Sequence, residues 1–228
     1  HDVARLPDGH LAVTGCTAGA STSRFFVTKL NVSTGQPIWQ SSLTNPSGRD
    51  CPHAIAATAD GGVVVTTNVG VLRLGAQGEV LWSVQVPLQS VYQAVDVTYN
   101  GDVLVAGMRA NGGRSVLRLA GDGSEIRWQT LVSPMGALDG GFTTVRELDN
   151  DHILVAGAEG WLARVTASGA METSCAAVTT AADPLTQVAL PTALGVGGNW
   201  STPVTNSVDT AVVPYEPAGV VTTECRPP

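Results

Sequence analysis

The sequence predicts an all-β chain, a β-propeller of about five four-stranded antiparallel blades, and three observations lead there. The first is composition. Hydrophobic residues make up 43% of the chain and charged residues only 14%, with 26 glycines. Val, Ala and Leu dominate the apolar set, which with many Thr and Gly suits short strands joined by turns. The periodic Glu/Lys/Leu/Ala runs of amphipathic helices are absent. The second observation is a segment that recurs along the chain, and the third is that each recurrence holds four strand-like runs. Four strands repeated every 40 to 50 residues is the plan of a propeller blade.

The recurrence opens with an apolar strand, a polar turn and a second apolar strand. It reads VARLPDGHLAVTG from Val3, IAATADGGVVVTT from Ile55, VDVTYNGDVLVAG from Val95 and VRELDNDHILVAG from Val145. A fifth, VALPTALGVGG from Val188, is shorter and lacks the Asp-Gly turn. Asp8-Gly9, Asp60-Gly61 and Asn100-Gly101 supply the positive φ that a tight hairpin requires. A third strand follows (FFVTKL, VGVLRL, SVLRL, WLARV), with apolar residues on alternate positions. A turn and a fourth strand close the unit: NVSTGQPIWQ, GAQGEVLWSV, AGDGSEIRWQT, TASGAMETSC and EPAGVVTTEC.

The last pattern resembles the tryptophan-docking motif of quinoprotein-type (PQQ-like) propeller repeats, roughly T-G-x-x-x-W. Thr34-Gly35-Gln36-Pro37-Ile38-Trp39 matches fully, Gly78 to Trp82 keeps the spacing, and Gly123 to Trp128 is one residue longer. Thr173 and Thr223 replace the Trp in the last two units, with Cys175 and Cys225 two residues on. The resemblance implies that each Trp packs between neighbouring blades. It is silent on activity, because such repeats serve enzymes, scaffolds and binding proteins alike. A quinoprotein dehydrogenase is not expected, since the chain lacks the length and the adjacent cysteine pair those enzymes use.

The repeats divide residues 1–228 into one domain with blades near 1–53, 54–93, 94–143, 144–186 and 187–228. The units form either a closed five-bladed ring or a set of blades belonging to a larger one. The chain begins with an innermost strand and ends on an outermost one, so the fifth unit is expected to hold the first by side-chain packing.

Net charge is −7 and only 12 Lys and Arg are present, Lys29 being the one lysine. Nucleic acid is therefore not an expected partner, because phosphate neutralisation needs a basic stripe. No run approaches about 18 apolar residues, so no transmembrane segment is expected. The chain starts at His1 without a signal-like segment, which reads as a removed leader or an excised domain. Cys16, Cys51, Cys175 and Cys225 lack C-x-x-C spacing. They suit two disulfides in a secreted, periplasmic or cell-surface protein, or four buried thiols. Strand direction places Cys16 and Cys51 at one end of the first blade, predicting that bridge; Cys175 and Cys225 then pair by default.

Aligning the blades sets His1, His53, Gln93, Thr143 and Thr186 at one position, a polar ring at the channel mouth. His1 and His53 could hold a metal there, an arrangement that resembles the copper-chelating histidine brace; the plainer reading is a solvated opening. Copper or calcium is the cofactor this leaves open, and nothing else in the sequence demands one. Tyr92, Arg109, Trp161 and Trp200 are candidate stacking surfaces, with Gln93, Asp139 and Asp50 as polar anchors, although Trp161 and Trp200 also suit packing between blades. His10 and His152 align in the opposite turns. No G-x-S-x-G elbow occurs; Asp96 and Glu147, on the inner strands of the third and fourth blades, are the least implausible carboxylate pair for glycosidase-type general acid–base work, and the plainer reading is that they pair with Arg146 or Arg5 or face solvent.

The expected role is a non-catalytic extracellular or periplasmic binding or scaffold propeller. It would recognise a protein or a carbohydrate through the loops of its top face. The alternatives are a copper-binding or redox propeller centred on His1 and His53, and a structural subunit of an envelope or fibre assembly, homo- or hetero-oligomeric.

Overall fold

The first three blades each begin with a hairpin whose turn is built around one glycine. In the computed structural model the fold is described for residues 2–17, 24–44, 51–68, 70–85, 90–109, 113–132, 141–149, 152–157, 162–171, 178–180, 186–187 and 193–194. Gly9, Gly61 and Gly101 take φ values of 84°, 85° and 88°, a region that any side chain disfavours. Each glycine amide donates to the carbonyl three residues back, Leu6, Thr58 and Thr98 respectively, at 2.9 to 3.0 Å. The side chains of Asp8 and Asp60 accept the amides of His10 and Gly62 at 3.1 and 3.2 Å, which locks the turn.

The first sheet runs β1 (Asp2–Arg5), β2 (Leu11–Thr17), β3 (Arg24–Leu30), β4 (Pro37–Thr44), with β18 (Ala193–Leu194) on its outer edge. The second runs β5 (Pro52–Ala57), β6 (Val63–Thr67), β7 (Gly70–Leu74), β8 (Val80–Gln85), then β17 (Thr186–Gln187). The third runs β9 (Ser90–Val97), β10 (Val103–Arg109), β11 (Arg114–Leu119), β12 (Ile126–Val132), then β16 (Val178–Thr180). The fourth holds β13 (Phe142–Asp149), β14 (His152–Gly157) and β15 (Leu162–Thr166), with Met171 bridging to Val165 where the next strand would start. All pairings are antiparallel, and no helix occurs among the described residues. The chain is an all-β propeller.

The late strands depart from the expected course. Thr186 and Gln187 pair with Gln85 and Val84 of β8, and Ala193 and Leu194 pair with Leu43 and Ser42 of β4. After the fourth blade the chain thus touches the outer edges of the third, second and first blades in turn. Residues 193–194, expected in the inner hairpin of a fifth blade, lie instead on the rim. An outer strand offers a free row of amides and carbonyls, and a passing segment satisfies it most simply by adding a strand. The rest of the unit 187–228 lies outside the described residues.

Packing follows the alternation of each strand. Ala12, Phe25, Val27 and Leu43 of the first blade meet Ile55, Val63, Val65 and Leu72 of the second. Val64, Val71 and Val84 meet Tyr92, Val95, Val105 and Leu117 across the second interface, and Leu104 and Val116 meet Phe142, Val145 and Val155 across the third. Each sheet hides an apolar face only against the next, which is why the blades are stable as a set. Around the periphery, Trp39, Trp82 and Trp128 donate from Nε1 to the carbonyls of Ala76, Gly121 and Ala167 on the following blade, at 2.9, 3.1 and 2.7 Å.

Candidate functional site

The four inner strands converge on a central cavity of about 410 Å³. Its wall is formed by residues 2–5, 54–57, 93–96 and 143–146, so Val3, Ile55, Val95 and Val145 line it together. Despite those aliphatic positions the cavity carries two acids and two arginines, Asp2, Asp96, Arg5 and Arg146.

Most of these charges serve the frame. Asp96 accepts from Arg146 Nη1 at 2.7 Å and from the amide of Glu147 at 3.0 Å, joining the third blade to the fourth. Asp2 accepts from the amide of Ile55 at 2.9 Å, joining the first to the second. Glu147 in turn accepts the amide of Tyr99 at 2.5 Å. The pair of carboxylates that the sequence offered for general acid–base work is thus spent on inter-blade hydrogen bonds, as its plainer reading allowed.

The polar ring has a local cause. Strands β5, β9 and β13 each carry a register shift, between Pro52 and Ala54, between Tyr92 and Ala94, and between Phe142 and Thr144. The residue left over is His53, Gln93 or Thr143, and a β-bulge re-aims such a residue at a sheet end. Gln93 and Thr143 line the cavity, and Gln93 Oε1 is buried without a partner. His53 does not line it: its Nε2 lies 2.5 Å from Asn68 Oδ1. Thr186, the expected fifth member, sits on β8 at the rim, and His1 lies outside the described residues. The two imidazoles are therefore not seen together, and among the described residues no three His, Cys, Asp or Glu side chains cluster as metal ligands would.

The same bulge corrects the expectation for Tyr92. It turns Tyr92 to the side of Val95, into the core between the second and third blades, where the residue is 1% exposed. It cannot present a stacking face. Arg109 ends β10 opposite Ser90, and Asp139, Trp161, Trp200 and Asp50 lie outside the described residues. The Cys16–Cys51 bridge is present with a Cα–Cα distance of 5.5 Å, tying the end of β2 to the start of β5; Cys175 and Cys225 lie outside the described residues.

Two features escaped the sequence reading. Third-strand cations hold the hairpin turns: Lys29 Nζ meets Asp8 Oδ2 at 2.6 Å, Arg73 Nη2 meets Asp60 Oδ2 at 2.6 Å, and Arg118 Nη2 meets Asn100 Oδ1 at 3.0 Å. The signal was a cation one place before the last apolar residue of each third strand. These turns hold their carboxylates below the ordinary range. Lys29 is the chief cause for Asp8, and the Thr58 hydroxyl for Asp60, followed by the Gly62 amide and Arg73. Asp122 is lowered by the Ser124 hydroxyl and amide. Tyr99 was also missed. It stands 96% exposed in the β9–β10 turn, beside a second cavity of about 410 Å³ that includes Asp60 and Arg73.

Strand direction separates two ends of the molecule. The hydrogen-bonded turns 6–10, 31–36, 58–62, 75–79, 98–102, 120–125 and 166–170 all lie at one end. The connections 18–23, 45–50, 86–89, 110–112, 133–140 and 158–161 leave from the other.

Solved structures share this architecture. The WD40 domain of Neurospora crassa Pan2 superposes with a TM-score of 0.54 at 14% identity, over 75% of this chain and 47% of that one. A Bacteroides caccae protein of unknown function gives 0.52 at 17%, over 69% and 55%. BamB from Moraxella catarrhalis gives 0.46 at 21%, over 66% and 48%. The chain spans about half the length of these structures, and at such identities the likeness is one of fold alone. No family profile and no curated protein matches the sequence.

Proposed function

We propose that this propeller is a non-catalytic binding or scaffold module of the cell exterior or periplasm, recognising a protein or a carbohydrate through the loop end. The observation that carries this reading is the asymmetry of the two ends. One end repeats short hydrogen-bonded turns, each closed on a positive-φ glycine, in blade after blade. The other carries connections whose lengths and sequences differ between blades. Variation concentrated on one end of a docked, rigid frame is how loop-borne recognition is built. The acids and the imidazole near the axis supply inter-blade and intra-blade hydrogen bonds, which supports a structural rather than a chemical use for them. The Cys16–Cys51 bridge supports an oxidising compartment.

The test is a printed glycan array and an immobilised peptide library probed with the purified chain. Binding to one class is expected, abolished when residues 133–140 or 18–23 are replaced by short Gly-Ser connections and retained in Tyr99→Ala. Binding that survives both loop replacements and is lost in Tyr99→Ala would move recognition to the turn end and overturn the reading. Silence on both arrays would overturn it as well.

A further inference from the structure

The three glycine hairpin turns share one backbone geometry and differ at one residue. The first two carry Asp8-Gly9 and Asp60-Gly61, the third Asn100-Gly101. Each carboxylate meets a third-strand cation, Lys29 Nζ or Arg73 Nη2, at 2.6 Å. Asn100 holds the same place with an amide. Its Oδ1 accepts from Arg118 Nη2 at 3.0 Å and from the Thr98 hydroxyl at 2.6 Å. Among the described residues its Nδ2 has no hydrogen-bond partner. Asn100 is exposed, and a Cβ on Gly101 would meet nothing within 4 Å, so solvent reaches this peptide. An asparagine before glycine is the pair most open to cyclisation, because no side chain hinders the approach of the following nitrogen to the amide carbon.

We propose that Asn100 is a site of spontaneous deamidation in the folded protein, and that Arg118 steers the product to ordinary aspartate. The Gly101 nitrogen, giving its proton to solvent, attacks Asn100 Cγ. The Cγ–Nδ2 bond breaks, ammonia leaves, and a five-membered imide remains. Water then opens the imide. Addition at Cγ restores the backbone and leaves an aspartate, whereas addition at the main-chain carbonyl leaves an isoaspartate. The guanidinium on Oδ1 withdraws charge from Cγ in both steps and stabilises the oxyanion formed there, so it favours the first opening. Arg118 is held for this by Asp102, whose Oδ2 accepts from Arg118 Nε at 2.8 Å and from Arg127 Nε at 2.9 Å. The turn also resists the second product. An isoaspartate adds a main-chain atom between Thr98 and Asp102, where Gly101 N donates to Thr98 O at 2.9 Å and Thr98 N to Asp102 O at 2.8 Å. The Gly101 bond must open for the attack, and one exposed turn bond slows it severalfold without stopping it. The product gives the third turn the carboxylate of the first two. It adds a negative charge beside Tyr99 and the cavity that holds Asp60 and Arg73, at the end opposite the proposed recognition loops and independent of them.

The test incubates the full chain, folded and in guanidinium chloride, in mildly alkaline buffer made with heavy-oxygen water, and maps tryptic peptides by mass. Cleavage after Arg109 separates Asn100 from the other Asn-Gly pair, Asn111-Gly112, which lies outside the described residues. Label is expected at position 100 of the folded chain at a rate within about tenfold of the unfolded one. Isoaspartyl methylation is expected to find aspartate as the main product in the folded chain and isoaspartate in the unfolded one. Arg118→Lys, which keeps a cation as Lys29 does in the first blade, should preserve the preference for aspartate, and Arg118→Gln should lose it. An Asn100 that stays intact in the folded chain while converting in guanidinium would show that the turn protects it and overturn the proposal. Isoaspartate as the main folded product, or an unchanged preference in Arg118→Gln, would overturn the part given to Arg118.

Discussion

The first blade and the three that follow it are held by different means. In the second to fourth blades the outer turn is clamped by an indole from the preceding blade, and at Gly78 and Gly169 also by a hydroxyl. Ser41 Oγ donates to Gly78 O at 2.5 Å, and Thr130 Oγ1 to Gly169 O. The first blade has no such clamp among the described residues, but it has the covalent one, Cys16–Cys51. On the side away from the second blade Val3 is 55% exposed, and on the fourth blade's side away from the third Leu162 is 63% exposed. The second to fourth blades are thus stabilised by repetition, and the first by a bridge that no other blade has among the described residues.

Five measurements break or sharpen that contrast. Replacing Cys16 and Cys51 by Ser frees a loop of 35 residues and is expected to cost roughly 3–4 kcal/mol on the chain-entropy account. Urea unfolding under oxidising conditions would show it, and a loss below about 1 kcal/mol would mean that the first blade does not depend on the bridge. Trp82→Ala removes a half-buried indole and its bond to Gly121 O, at a cost of about 3 kcal/mol; an unchanged unfolding midpoint would deny the docking joint its role. Gly123→Ala drives a Cβ into the Trp82 ring and is expected to cost about 2–3 kcal/mol.

Gly35→Ala is the sharper companion to Gly123→Ala. A Cβ there would meet nothing within 4 Å, so the cost is expected to fall to the ~1 kcal/mol of the backbone conformation alone; a loss as large as that of Gly123→Ala would show that the first turn is clamped too. The smallest effect concerns acid. Asp60 is lowered mainly by the Thr58 hydroxyl. A depressed carboxylate adds stability that is complete above its unfolded value and lost as pH falls through the folded one. Stability is therefore expected to decline below about pH 4, and less steeply in Asp60→Asn. Parallel curves for the two proteins would remove Asp60 from the account.

Much of this was legible in residues whose meaning is local. Asp-Gly and Asn-Gly pairs require a turn, alternating Val and Leu require a two-faced strand, and Trp39, Trp82 and Trp128 recur because each must span to a neighbour. Cys16 and Cys51 could be paired from strand direction alone. Tyr92 was misread because one extra residue, Gln93, reverses the side on which its neighbour falls, and a bulge leaves no mark in the apolar pattern. The clasp of Lys29, Arg73 and Arg118 on the hairpin turns went unseen because its partners lie 21, 13 and 18 residues away in sequence.

The chain on its own settled the repeat, its four-stranded unit, the turns and one disulfide, since each follows from contacts within about fifty residues. Only the tertiary structure decided which polar groups the axis leaves free and that residues 186–187 and 193–194 pair on outer edges. Those outcomes depend on which hydrogen-bonding edges and faces remain unsatisfied once the blades have packed.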